Sequence, residues 1–111
     1  MDKLYICVLN TVPDHMTPVL VAHAVLRHHL CHVQRKPEYR ERYDAWLKDS
    51  FKKCVVRVNQ KEFDKINQLP NTVESWENSV FDGGVTCVTI VASSDDHNVL
   101  KFAKLWKPLN G

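Results

Sequence analysis

Phe81-Asp82-Gly83-Gly84-Val85-Thr86-Cys87-Val88-Thr89-Ile90-Val91-Ala92 is the stretch on which the fold turns. Its second part, Val85 to Ala92, is nearly continuously apolar and β-branched, the composition of a strand covered on both faces. Its first part joins two of the three glycines in the chain, and a glycine pair lets the backbone turn tightly or approach a ligand where a Cβ would obstruct it. The stretch therefore predicts a central strand entered through a hinge, with the Asp82 carboxylate and the Thr86 hydroxyl delivered at its start. An ordinary turn in which Asp82 caps a loose amide is the plainer reading of the same residues.

Working outward from that strand, Leu4 to Leu9 reads as a buried strand, ended by the turn-forming Asn10 to Asp14. Thr17 to about Val33 follows with Val19, Ala22, Leu26, Leu30 and Val33 at helical spacing, Thr17 as N-cap and Pro18 in the first turn. These five apolar residues are the expected buried stripe, and His23 belongs beside it, buried or half-buried. Pro37 opens a second helix in which Tyr39, Tyr43, Trp46 and Leu47 share a face. Cys54 to Val58 is a strand, and Asn59-x-x-Glu62 after it has the spacing of a capping box, with Phe63 and Ile66 buried and Pro70 as the stop. Thr72 to Val80 is strand-like. Ser93 to Asp96 supplies cap chemistry for a last helix whose Val99, Phe102, Ala103 and Trp106 lie on one side.

The resulting order, β-α-α-β-α-β-β-α, predicts a single-domain α/β sandwich over residues 1–111 with a mixed four-stranded sheet. In such sheets ligands bind beyond the strand ends. The loops after the first strand and before the last are thus the expected site.

Fifteen Lys/Arg against thirteen Asp/Glu leave a formal charge of +2, which excludes a strongly cationic nucleic-acid coat but not a local phosphate patch. The cysteines Cys7, Cys31, Cys54 and Cys87 have no C-x-x-C spacing and read as free thiols. With neither a signal-peptide pattern nor an apolar run approaching about eighteen residues, no membrane span is expected, and a reducing, cytoplasmic setting fits. No P-loop, G-x-G-x-x-G or G-x-S-x-G motif is present, which argues against NTPases, Rossmann dehydrogenases and nucleophile-elbow hydrolases. His28 and His32 are spaced to share a helix face, but nothing in the sequence completes a metal site, so no metal and no cofactor are expected.

The helix step Ala22-His23-Ala24, the strand that feeds a helix, the loop Asp82-Gly83-Gly84-Val85-Thr86 and the closing helix together resemble the type II peptidyl-tRNA hydrolases over nearly the whole chain. The resemblance implies that water hydrolyses the ester between a peptide and the terminal ribose of tRNA. By match to the family's late loop, Asp82 and Thr86 would be catalytic, Asp82 accepting a proton from the water or orienting it. The family lysine near the start of the first helix corresponds to Met16, counting back from His23, and Val85 stands where the late loop has arginine. His15 is the neighbouring candidate for a replacement cation or proton donor, with His23 as a second auxiliary. Gly83, Gly84, Lys52, Lys53, Lys104 and Lys107 are the expected substrate contacts, and tRNA or peptidyl-tRNA the expected partner. A noncatalytic module binding RNA, a nucleotide or a protein is the alternative. A homodimer is a further expectation, for which exposed aliphatic or aromatic surface on the second helix would be the sign.

Overall fold

The computed structural model describes residues 1–35, 37–77 and 83–109, with 37–39 described by backbone course alone. The chain builds a mixed sheet in the order β3-β4-β1-β2-β5. The strands are β1 (Lys3–Leu9), β2 (Lys52–Val58), β3 (Val73–Trp76), β4 (Val85–Ala92) and β5 (Lys104–Leu105). The helices are α1 (Thr17–Val33), α2 (Pro37–Ala45), α3 (Gln60–Asn67) and α4 (Asn98–Lys101), and a single π-helical turn, Trp46–Ser50, extends α2. The α/β class is as the sequence predicts. The sheet has five strands where four are expected.

The two apolar runs take the centre because they can be buried on both faces. β1 pairs with β2 in parallel, Lys3 with Lys52 through Leu9 with Val58, and with β4 antiparallel, Val8 opposite Cys87 and Lys3 opposite Ala92. Side chains alternate across a strand, so Leu4, Ile6 and Val8 share a face with Val91, Thr89 and Cys87. α1 packs on β1, β3 and β4, and His28 meets Thr89 on that face. The crossover from β2 through α3 to β3 runs in the opposite direction along the sheet. Right-handed connections therefore place α3 on the other face, over Cys7 and Val88, with Phe63 and Ile66 buried.

Local chemistry explains most boundaries. Asn59 closes the expected capping box: its side chain accepts the Glu62 amide at 2.8 Å, and Glu62 Oε1 accepts the Asn59 amide at 2.9 Å. Thr17, by contrast, lies inside α1 and is not its cap; its hydroxyl donates to the Pro13 carbonyl at 3.3 Å. α1 grows directly out of a 3₁₀ turn, Asp14–Met16. The expected last helix stops after one turn. The chain beyond it extends into β5, where Leu105 pairs with Val56 and the Trp106 amide donates to the Val55 carbonyl at 2.9 Å. The open edge of β2 offers a row of backbone partners, and pairing with it displaces the helical pattern of Val99, Phe102, Ala103 and Trp106. Asp96, an expected cap residue, binds Arg42 and the Ser93 amide instead.

α1 is turned the other way from expectation. Its buried residues are Thr17, Leu20, Ala24, His28 and His32, while Val19, Leu26, Leu30 and Val33 are 67%, 59%, 49% and 43% exposed. His23 is exposed with them. Among the described residues no helix is long and apolar enough to cross a membrane.

Candidate functional site

The carboxyl ends of β1 and β2 and the amino end of β4 coincide at one end of the sheet, because Val8 lies opposite Cys87 and Leu9 beside Val58. The loop after β1 is tied there by the Asn10 amide, which donates to the Val58 carbonyl at 2.8 Å. The two loops singled out from the sequence therefore share an end of the sheet. Gly83 has φ 84°, a left-handed conformation that costs a side-chain-bearing residue about 1 kcal/mol or more and glycine almost nothing. That explains the first glycine of the hinge. Asp82 lies outside the described residues.

Thr86 is the first fully buried residue of β4, 1% exposed, and its hydroxyl donates to the Ser75 carbonyl of β3 at 3.4 Å. This bond is long, and the same hydroxyl is near enough to influence the Cys87 thiol, which burial nonetheless pushes up to about 11. His15 sits exposed in the 3₁₀ turn at this end of the sheet. His23 lies on the outward surface of α1, in a groove with Leu26, Arg27, Leu30, Cys31 and Gln34.

The predicted basic contacts divide between the two ends of the sheet. Lys52 and Lys53 begin β2 and lie beside Lys3 and Leu4, about 20 Å of strand away from the Gly83–Thr86 entry. Lys53 is engaged locally: its ammonium donates to the Phe51 carbonyl at 2.8 Å and sits over the Phe51 ring. Lys104, opposite Arg57, is at the same end as the hinge. It lines an open depression of about 330 Å³ with Asn10, Arg57, Val58, Asn59, Glu62 and Phe102. Lys107 contributes its backbone, whose carbonyl accepts from Arg57 Nη2 at 2.6 Å.

Arg57 lies outside the sequence expectations, although a lone arginine in the otherwise apolar Cys54–Val58 is a signal of it. Its side chain is only 14% exposed. It pairs with Asp14 at 3.0 Å and lies 5.0 Å from the centre of the Trp106 ring. Asp14 in turn accepts the Leu109 amide at 2.6 Å. That amide, with the Arg57 guanidinium beside it, holds the Asp14 carboxyl below its ordinary range. The Arg57–Asp14 pair thus ties the loop after β1 to the C-terminal segment, and Arg57 lines the depression. A half-buried guanidinium with an adjacent lysine suits an anionic or strongly hydrogen-bonding ligand.

A second polar cluster lies against the sheet under α1. His28 is fully buried, and its Nδ1 is 2.6 Å from Thr89 Oγ1. The Thr89 hydroxyl also reaches the Val73 carbonyl at 3.2 Å, so Thr89 joins the His28 ring to the backbone of β3. His32 stacks on His28 with ring centres 4.2 Å apart, and Tyr43 closes on both. Burial, with the nearby His32, Arg35 and His29 adding to it, lowers His28 to about 3. The parallel stack does not converge the ring nitrogens on one point. Among the described residues no group of three or more His, Cys, Asp or Glu is placed to hold a metal ion.

Cys7 and Cys87 are buried, Cys31 and Cys54 half-buried, and all four are free thiols. Burial raises Cys7 strongly and Cys54 less so, the reverse of what a nucleophilic thiolate needs. Set beside known proteins, the chain matches no family model and no curated protein.

Proposed function

We propose that the protein is a peptidyl-tRNA hydrolase-like enzyme whose site lies at the carboxyl end of the β1/β2 pair. The observation that carries this reading is the meeting, at one end of the sheet, of the loop holding His15 and the glycine hinge leading to Thr86. The order of elements and the sheet built from them are compatible with the type II peptidyl-tRNA hydrolase fold. On this reading Asp82 takes the proton of the attacking water as general base. Thr86, held by Ser75, fixes the start of β4 and so the position from which Asp82 acts. Lys104 and Arg57 supply positive charge for the phosphates of the acceptor end.

The experiment is turnover of peptidyl-tRNA by the purified protein, followed as release of free tRNA. Asp82→Asn is expected to slow release at least about tenfold, since positioned acid–base groups contribute factors of about 10² to 10⁴. Absence of release across a wide range of enzyme concentrations overturns the hydrolase reading.

One observation favours a second reading, a noncatalytic binding module. The Thr86 hydroxyl is buried and already bonded to Ser75, so it is not free to place a water. The module binds RNA with Asp82→Asn harmless, whereas Lys104→Glu weakens the complex and flattens its salt dependence.

A further inference from the structure

We infer that the outward face of α1 is a self-association surface, and that two copies of the chain pack antiparallel through it with Leu26 on the two-fold axis. The helix is apolar on two opposite sides. Leu20 and Ala24 face the sheet with the histidine pair, while Val19, Ala22, Leu26, Leu30 and Val33 face outward and are all exposed. A helix that is apolar all round is ordinarily covered all round.

The order of these residues identifies the occupant. The outward stripe runs Val19, Ala22, Leu26, Leu30, Val33, with intervals of three, four, four and three residues. The intervals average 3.5 residues, the mean repeat of a helix-on-helix seam, with Leu30 one position off a strict a/d pattern, and the order reads the same in both directions about Leu26. A two-fold contact is self-complementary: residue i meets residue j, and j meets i. Turning one copy over about Leu26 sets Val19 on the partner's Val33 and the small Ala22 against the partner's Leu30. A large side chain then meets a small one on either side of the axis, and valine meets valine at the ends.

Charge supports the same occupant. The stripe contains no Asp, Glu, Lys or Arg, so a second copy meets no like charge on it. Arg27, at its margin, is drawn aside: its Nε donates to the Glu74 carbonyl at 2.8 Å and its guanidinium stacks 3.9 Å from the centre of the Trp76 ring. The helix offers a seam about 25 Å long. Covering it on both copies removes on the order of 1,000 Å² from water, near the lower limit of specific interfaces. The dimer is accordingly a reversible one whose population depends on concentration.

Sedimentation of the full chain over a range of concentrations tests this. The mass should rise from 12.9 kDa towards twice that value, and Leu26→Lys, which sets two ammonium groups face to face on the axis, should weaken association at least about tenfold. Leu26 is solvent-exposed, so the variant should keep the far-ultraviolet circular dichroism of the parent. A second arm reads the geometry without relying on that variant. In a Cys31→Ser background, Leu26→Cys should form an intermolecular disulfide under mild oxidation much faster than Val19→Cys, because only a residue on the axis meets its own copy. A chain that stays monomeric to about 1 mM, where an interface of only about 4 kcal/mol is already half formed, overturns the proposal. So does a dimer unaffected by Leu26→Lys, or faster self-linking at Val19→Cys.

Discussion

The inward and outward sides of α1 each follow helical spacing, and each would serve as the core face of an ordinary helix. They differ in what they meet. The inward side sets Ala24 against the sheet, where a small residue permits close approach, and engages Thr89 through His28. The outward side is more aliphatic and is left largely exposed, with Val19 67% and Leu26 59% exposed. Amphipathicity alone therefore does not orient this helix. The specific polar contact and the stacking of His28, His32 and Tyr43 accompany one orientation, and the aliphatic stripe is left outside, where a second copy can use it.

Acidification should separate the two sides most. His28 is neutral in the fold, lowered to about 3 from an ordinary 6.5, so the unfolded chain binds a proton more readily between those values. Stability is fully present above about pH 6.5 and falls as the pH drops towards 3, by as much as several kcal/mol on the scale of 1.36 kcal/mol per pKa unit. Asp2 and Asp96, both lowered chiefly by hydrogen bonds from Arg42, add to the loss below the ordinary carboxylate range. Urea unfolding at a series of pH values should show this slope in the parent and a much shallower one between pH 6.5 and 5 in His28→Gln. An unchanged slope would place the His28 ring in water.

Truncation of the inward side comes next. Leu20→Ala should destabilise by about 2–5 kcal/mol, the loss of a buried leucine plus its cavity, read from the urea midpoint. At the border between the sides, Tyr43→Phe removes the 2.8 Å bond between the Tyr43 hydroxyl and His29 Nδ1, with an expected cost of about 1 kcal/mol. The smallest effect belongs outside. Leu26→Ala, measured at concentrations too low for association, should change stability by no more than about 0.5 kcal/mol. A loss comparable to that of Leu20→Ala would mean that Leu26 is covered within one chain.

The four longer strands and the Asn59 cap are readable from the residues because their signals are local, whereas Thr17 and Asp96 have cap chemistry without serving as caps. Val85 to Ala92 can be buried on both faces only as a central strand, and Asn59 with Glu62 carries its own hydrogen-bond geometry. The orientation of α1 was not readable in the same way. Val19, Leu26 and Leu30 outrank His28 and His32 in hydrophobicity, and only the sheet, with Thr89 at the right height, reverses the order. β5 is not legible in the sequence because two residues hold no periodicity; its pairing depends on an edge of β2 that exists only once the sheet has formed. At the candidate site, the glycine hinge and the shared sheet end followed from spacing and order. The joining of Arg57 to Asp14 did not, since 43 residues separate them and neither lies in a motif. Lys52 and Lys53 were grouped with Lys104 by charge alone, and strand direction sends them to the opposite end of the sheet.

The two borders of the sheet limit how copies of this chain can meet. β5 and the Trp106 amide occupy the backbone of β2, while β3, at the other border, is only four residues long and has its Glu74 carbonyl taken by Arg27. Among the described residues, neither border offers a long row of free amides and carbonyls of the kind that templates strand addition and fibrous growth. The two-fold contact inferred for the α1 stripe, by contrast, closes after two subunits, because each copy buries against its partner the same surface that the partner buries against it.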